Sequence, residues 1–154
     1  MNYLYLTFGS NAILSSLQAK HAQRHFLKLT SFENNQEYAL LDITSQKSLF
    51  KSGVDFKIRT GKFEALPTAK YYFNYFMLDE QEQKKWLGTT LLKPEQSKQY
   101  LFCQSLKHDF NFLTITTWEK HADYLSWVDK HPFLSNSNGT FNASYKRIFT
   151  LTIN

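Results

Sequence analysis

The chain has 154 residues, of which 42% are hydrophobic and 17% aromatic, a composition typical of one compact folded unit and incompatible with intrinsic disorder. Its net charge is +5, but the 18 lysines and arginines are spread along the chain without the basic patch of a nucleic-acid-binding protein, which excludes that class of function. The single cysteine, Cys103, excludes an internal disulfide. No signal peptide or membrane-spanning stretch is recognisable, so we expect a cytoplasmic protein.

The first half of the chain predicts several extended segments around one clear helix. The first strand is followed by Ser10 and Asn11, either of which can cap a helix that carries Leu14 and Leu17 at helical spacing. Residues 33–36 have a hairpin-type sequence and separate two strands that we expect to pair antiparallel. The predicted segments are a strand at 3–8, a helix at 12–23, strands at 26–32 and 38–43, a short extended piece at 48–51, a helical turn at 53–59 and an extended piece at 62–66.

From residue 70 onward the same order of elements appears again, more clearly. Asp79 and Glu82 have the spacing of a capping box at the start of a helix. The apolar residues of the last helix recur at steps of four and three and predict its buried face: Trp118, Ala122, Leu125 and Val128. The predicted segments are a strand at 70–78, a helix at 80–92, strands at 100–106 and 111–117, a helix at 119–130 and a strand at 147–153.

Both halves therefore have a β-α-β-β-α-β order, the split βαβ arrangement of ferredoxin-like α+β proteins. We expect residues 1–66 to form a degenerate N-terminal half and residues 67–154 a regular C-terminal half of one compact unit. A sheet of this kind has helices on one face only, and its bare apolar face must be buried. We therefore expect the two sheets to pack on each other or to close into a barrel-like core.

Three segments of the C-terminal half resemble one protein family. The strand 71–78 carries Asn74 near its middle, and residues 113–120 join a hydrophobic strand to a tryptophan and a charged pair. Residues 122–127 end in a second tryptophan, Trp127, which is followed by Phe133. These features resemble the antibiotic biosynthesis monooxygenase (ABM) superfamily, and specifically its haem-degrading branch.

The resemblance extends more weakly over the rest of the chain. Residues 5–10 and 26–62 are similar to N-terminally extended members from Gram-positive bacteria, which include a haem monooxygenase and a stress protein called target of RNAIII-activating protein. The resemblance implies an ABM-type α+β barrel in which the N-terminal half packs on the C-terminal half. The protein would be a monomer with an intramolecular pseudo-dimer, or a homodimer.

The resemblance also implies a cofactor and site residues. Haem is the implied cofactor, with Asn74 orienting its reactive edge and Trp127 pressing on the macrocycle as catalytic residues. Tyr124, His131 and Phe133 are the implied cofactor-binding residues. The family keeps an axial histidine ten residues after the tryptophan, where this sequence has Ser137, so the ligand of the iron is unassigned and His131 is the nearest candidate.

The roles of Asn74 and Trp127 allow more than one interpretation. Asn74 either binds a ligand from inside a barrel cavity or is a structural or solvent-facing residue of its strand. Trp127, on the helix face with Tyr124 and His131, either lines a cavity or packs in the core. Three functions follow from these alternatives. The protein binds or degrades haem, or it oxidises an aromatic substrate without a cofactor. Alternatively, it is a non-catalytic, stress-related module that binds a small hydrophobic ligand or a protein partner.

Overall fold

The computed structural model describes residues 3–33, 36–44, 46–50, 53–87, 94, 97, 99–131, 134 and 146–152. Within these residues the chain forms eight strands and three helices. In chain order they are β1 (Tyr3–Gly9), α1 (Asn11–Lys20), β2 (Phe26–Ser31), β3 (Tyr38–Asp42), β4 (Val54–Gly61), β5 (Lys70–Met77), α2 (Glu80–Trp86), β6 (Gln99–Ser105), β7 (Asn111–Thr117), α3 (His121–Asp129) and β8 (Lys146–Leu151). None of these helices is long and apolar enough to cross a membrane.

The strands form one closed barrel in the order β1-β3-β2-β8-β5-β7-β6-β4, and neighbouring strands are antiparallel. The order β4-β1-β3-β2 in the first half is repeated as β8-β5-β7-β6 in the second. The halves join where β2 pairs with β8 and β4 pairs with β6. The ferredoxin-like α+β prediction and the closure of two sheets into a barrel within the chain are therefore confirmed. The boundary at residues 66 and 67, and the number of chains in the assembly, stay predictions.

Side chains alternate along each strand between the barrel interior and an outer layer beneath the helices. Along β5, Tyr71, Phe73 and Tyr75 belong to the interior cluster, whereas Tyr72 and Phe76 belong to the outer one. The last strand alternates as predicted, with Phe149 in the interior and Ile148 against the outer cluster. The outer layer of the second half collects most of its large aromatic rings.

The two halves can be aligned residue by residue through their helix caps. Ser10 caps α1 and Asp79 caps α2, and each lies five residues after an outward-facing residue, Tyr5 and Asn74 respectively. In the barrel Tyr5 pairs with Asp42 of β3, and Asn74 pairs with Thr114 of β7. Tyr5 and Asn74 therefore occupy equivalent positions, as do Asp42 and Thr114.

The helical turn predicted at 53–59 is wrong, because these residues form strand β4. Val54, Phe56 and Ile58 alternate towards the interior cluster, a period of two that matches a strand. Strand β4 also has neighbours on both edges, β1 and β6. Pairing on both sides satisfies its backbone, which outweighs the weak local preference for a turn.

Helix α2 is shorter than predicted. It ends at Trp86, and Leu87 takes an extended conformation with φ −74° and ψ 137° rather than continuing to Leu92. None of its residues is buried, and Gly88 follows in the sequence, so neither packing nor propensity extends the helix. The predicted capping box of Asp79 and Glu82 is confirmed.

The face predicted to be buried on the last helix is wrong in part: Trp118 is buried and Val128 packs against the outer cluster, but Ala122 and Leu125 are exposed. In α3 the buried residues are Tyr124 and Trp127, whereas Leu125 is 49% exposed. Two adjacent stripes of this short helix carry apolar residues, and the larger aromatic pair removes more surface from water when it faces the sheet.

Candidate functional site

The candidate site lies in the outer layer between β5, β7 and helix α3. Asn74 is fully buried and belongs to the outward-facing set of β5, with Tyr72 and Phe76 as its neighbours on that face. The suggestion that it faces a cavity inside the barrel is therefore wrong, and so is the solvent-facing alternative. Its side chain meets helix α3.

The amide of Asn74 is held at one end only. The hydroxyl of Tyr124 on α3 donates a hydrogen bond of 2.8 Å to Asn74 Oδ1. Asn74 Nδ2, which can donate two hydrogen bonds, has no partner among the described residues. Buried polar groups are almost always paired, so an unpartnered amide nitrogen in an aromatic layer marks a place where a ligand or a water accepts.

A second polar group lies beside the amide. Thr114 of β7 is the cross-strand partner of Asn74 and is also fully buried. Its Oγ1 has no hydrogen-bond partner among the described residues. By contrast, the next outward-facing residue of the strand, Thr116, accepts a hydrogen bond of 2.8 Å from Trp118 Nε1.

Aromatic rings surround these polar groups. The rings of Tyr72 and Tyr124 have centroids 4.4 Å apart, and those of Trp118 and Trp127 are 5.6 Å apart. Burial is the main reason that the pKa of Tyr124 is raised, although its hydrogen bond with Asn74 acts to lower it. The hydroxyl therefore stays protonated at neutral pH and keeps donating to Asn74.

His131 packs at the other end of this layer and is 6% exposed. Its Nδ1 lies 2.7 Å from the carbonyl oxygen of Trp127, and its ring centroid is 5.6 Å from that of Trp127 and 5.2 Å from that of Trp86. A carbonyl only accepts, so Nδ1 carries the proton and, in the neutral ring, Nε2 carries the lone pair with which imidazole binds metals.

The structure thus brings four predicted site residues into one layer, namely Asn74, Tyr124, Trp127 and His131. The fifth, Phe133, lies outside the described residues, as does Ser137. Across the described part of the chain, no group of three metal-ligating side chains is present.

Solved structures that share this fold include three bacterial proteins. A monooxygenase-like protein from Listeria innocua matches with a TM-score of 0.75 and 14% identity, over 99% of this chain and 94% of that one. A ferredoxin-fold protein from Listeria monocytogenes, related to antibiotic biosynthesis monooxygenases, matches with a TM-score of 0.74 and 16% identity, over 100% and 96%. A haem-degrading enzyme from Listeria monocytogenes matches with a TM-score of 0.69 and 14% identity, over 97% and 99%. No protein-family model and no curated protein matches the sequence.

The chain has the ABM-type fold. The resemblance proposed from residues 71–78 and 113–127 is confirmed at this level. At 14–16% identity the likeness concerns the fold alone, so the chemistry of the site must be argued from its own residues.

In the first half of the ABM-type barrel, the position equivalent to Thr114 holds Asp42, which forms an ion pair with Arg24. Arg24 Nη1 lies 2.8 Å from Asp42 Oδ2, and the backbone N–H of Thr44 donates to Asp42 Oδ1 over 2.9 Å. Arg24 also donates to the carbonyl of Lys47 over 2.6 Å. Both oxygens of Asp42, the residue opposite Tyr5, are therefore occupied, although Arg24 Nε is buried without a partner among the described residues.

Two residues of the site were not predicted from the sequence. Thr114 was one of several alternating threonines, and only the register of β5 against β7 places it beside Asn74. Tyr72 was one of five aromatic residues in its strand, yet its hydroxyl lies 3.1 Å from Nδ1 of the exposed His121. It connects the buried layer to the start of α3.

Proposed function

We propose that this protein binds haem in the layer between β5 and α3 and acts as a monooxygenase of the haem-degrading type. The observation that carries the proposal is the amide of Asn74, which is fully buried, fixed at Oδ1 by Tyr124 and unpartnered at Nδ2 among the described residues. The fold that the chain shares with monooxygenase-like proteins supports it.

The residues present have the side-chain chemistry that a planar aromatic ligand needs. Tyr124 and Trp127 offer broad apolar faces, and Asn74 offers an amide N–H. His131 is the residue that would hold the iron, since its Nδ1–H is engaged by the carbonyl of Trp127 and that hydrogen bond orients the ring. Haem, when bound, supplies the iron that activates dioxygen in the presence of an external reductant.

The chain's own residues then perform three tasks. Tyr124 fixes the amide plane of Asn74, so that Nδ2 rather than Oδ1 is left to face a bound ligand. The amide N–H would donate to an acceptor oxygen of the bound ligand, in a layer from which water is excluded. Trp127, only 5% exposed, contributes to that exclusion.

A haemin titration tests the proposal. We expect saturable one-to-one binding with a sharp Soret band in the wild type, and loss of that band in His131→Ala. The matched control is His25→Ala, which removes an exposed histidine in the first half of the barrel. Circular dichroism of each variant confirms that it is folded.

Turnover is measured on the loaded protein with ascorbate as reductant. We expect Asn74→Ala to bind haemin but to slow the ascorbate-dependent loss of the Soret band by at least about tenfold, since it removes a hydrogen-bond donor to the bound ligand. A variant that degrades haem at the wild-type rate would contradict the role of Asn74.

A second candidate is a non-catalytic binding module of the same fold. The close packing of the layer favours it, because the rings of Tyr72 and Tyr124 lie 4.4 Å apart and Trp127 is buried. Such a layer suits a ligand smaller than a porphyrin. Weak, non-saturating association of haemin with the wild type would favour the non-catalytic module over the haem-binding monooxygenase.

A further inference from the structure

We propose that Thr114 is a second ligand-binding residue of this layer and that its hydroxyl, together with Asn74 Nδ2, holds an acceptor oxygen of the ligand. The inference rests on the proposed function, in that the layer between β5 and α3 takes a ligand. It adds a residue that no sequence pattern indicated, and it specifies the chemistry that the residue recognises.

The first argument is that two unpartnered groups share one face. Asn74 and Thr114 are directly paired across β5 and β7, both are fully buried, and both belong to the outward-facing set. Side chains paired in this way have Cβ atoms about 5 Å apart. A single oxygen above the pair can therefore accept from both.

The second argument is that the polar groups around the pair are satisfied. Thr116 accepts from Trp118, Tyr72 is bonded to His121, and Tyr124 donates to Asn74. Among the residues that the structure describes, the unpartnered side-chain atoms of this layer are thus confined to one place. Leaving a buried group unpaired has a substantial cost in stability, so two adjacent ones are expected to be retained for a ligand.

The third argument concerns the ligand's chemistry. An amide N–H and a hydroxyl are neutral donors, which suit an uncharged acceptor such as a quinone or ketone oxygen. In the equivalent positions of the first half lie Tyr5 and Asp42, and the carboxylate of Asp42 is already paired with Arg24. One ligand per chain is therefore expected.

The test compares Thr114→Val with Thr117→Val. Thr117 lies on the same strand, is 1% exposed and also has an unpartnered Oγ1 among the described residues, but alternation places it on the opposite face. Each variant removes one buried hydroxyl and keeps the shape of the side chain. The two variants differ only in the face from which that hydroxyl is lost.

Two probes are titrated into the wild type and each variant. Haemin is the ferric form of the proposed cofactor, and 1,4-naphthoquinone is a planar, uncharged molecule with acceptor oxygens. Binding is followed by quenching of tryptophan fluorescence, because the chain has three tryptophans and all of them pack in this layer, Trp86, Trp118 and Trp127. Thermal unfolding of each variant without a probe is measured in parallel.

We expect Thr114→Val to weaken binding of at least one probe by about threefold or more, the loss of one hydrogen bond, and Thr117→Val to bind within about twofold of the wild type. One probe molecule should bind per protein chain. We also expect Thr114→Val without a probe to unfold at the same temperature as the wild type or higher, since an unpaired buried hydroxyl is removed.

Other results overturn the inference, the proposed function, or both. If haemin binds and Thr114→Val binds it equally well, the inference fails and the proposed function stands. If only naphthoquinone binds, and Thr114→Val weakens it, the proposed function fails and the inference stands. If neither probe binds the wild type, both fail. A Thr114→Val variant that melts earlier and binds both probes normally would assign the two groups to a structural water, and the inference would be wrong.

Discussion

The hydroxyl of Tyr124 donates to Oδ1 of Asn74 over 2.8 Å and so joins the middle of α3 to the middle of β5. This single hydrogen bond determines which end of the amide is offered to the layer, because it engages Oδ1 and leaves the two N–H groups of Nδ2 to face any ligand. Tyr124 is therefore a positioning residue for Asn74, and it also supplies one wall of the site.

Tyr124→Phe should lower the free energy of unfolding by about 1–2 kcal/mol, because it leaves Asn74 Oδ1 buried without its donor. With the amide free to rotate, the ascorbate-dependent loss of the Soret band should slow, while haemin affinity changes less. Urea denaturation and the turnover assay check the two effects.

Tyr72→Phe is the matched control for that variant. It removes a hydroxyl from the same layer, but its partner is the exposed His121, which water can solvate instead. We expect roughly half the stability loss of Tyr124→Phe or less. Equal losses in the two variants would argue against a special role for the Tyr124–Asn74 contact.

The buried ion pair of the first half gives a second prediction. The side chain of Arg24 is 7% exposed and that of Asp42 is fully buried, so Arg24→Met leaves a carboxylate in an apolar place without its partner. We expect a loss of about 3 kcal/mol in urea denaturation. Haemin binding, which belongs to the other half of the barrel, should not change.

Two further variants test that explanation. Arg24→Met combined with Asp42→Asn should recover part of the loss, because the amide is neutral and still accepts from the N–H of Thr44. Glu37→Gln breaks the partly exposed pair of Glu37 with Arg147, at 3.8 Å, and should cost less than about 1 kcal/mol. If the double variant is no more stable than Arg24→Met, the cost does not come from the stranded charge.

Much of the fold followed from the order of the elements along the chain. Strand alternation and helix caps are local signals, and they placed β1, β5, β7 and the start of α2 correctly. The repeated order then implied two sheets with one bare face each, and closing them into one barrel is the arrangement that buries both. The turn predicted at 53–59 failed because β4 is stabilised by long-range pairing with β1 and β6.

The site was predicted less completely. Asn74, Trp127, Tyr124 and His131 were named from a resemblance, but their side of the sheet could not be read from β5, in which nearly every residue is apolar or aromatic and both faces are buried. Thr114 became part of the site only through the register of β7. The face of α3 was misjudged in part because Leu125 and Trp127 lie on two different apolar faces of the helix. The face with the larger aromatic rings is the one that is buried.

Gly61, at the end of β4, gives a third prediction. Its φ is +93°, and a Cβ added there would collide with the backbone carbonyl of Tyr100 on β6. Gly61→Ala should therefore destabilise the protein by about 2 kcal/mol or more and loosen the junction between β4 and β6.

Gly9→Ala is the corresponding control. The added methyl would meet only the side chain of Leu14, at an ordinary contact distance of 3.5 Å. Its unfolding free energy should stay within about 1 kcal/mol of the wild type. Hydrogen exchange of the β4 and β6 amides reports the junction directly, and unchanged protection in Gly61→Ala would refute the clash.

The buried tyrosines give a pH dependence whose sign can be worked out. Burial is the main reason that the pKa is raised in the buried Tyr5, Tyr71, Tyr72 and Tyr124 and in the partly buried Tyr100. In the unfolded chain these phenols ionise near pH 10, whereas the folded state holds their protons at higher pH. The unfolded state therefore binds fewer protons above pH 10, and stability falls as the pH rises.

We expect the urea midpoint to fall gently from about pH 9, because burial also raises the pKa of the Cys103 thiol, which ionises near that pH in the unfolded chain, and to fall steeply above pH 10. Tyr100→Phe should make the fall shallower, since one raised pKa is removed. A urea midpoint that stays level up to pH 11 would show that these hydroxyls are hydrated. The outer layer around Tyr72 and Tyr124 would then be open to water, and the exclusion of water on which the proposed oxidation relies would be lost.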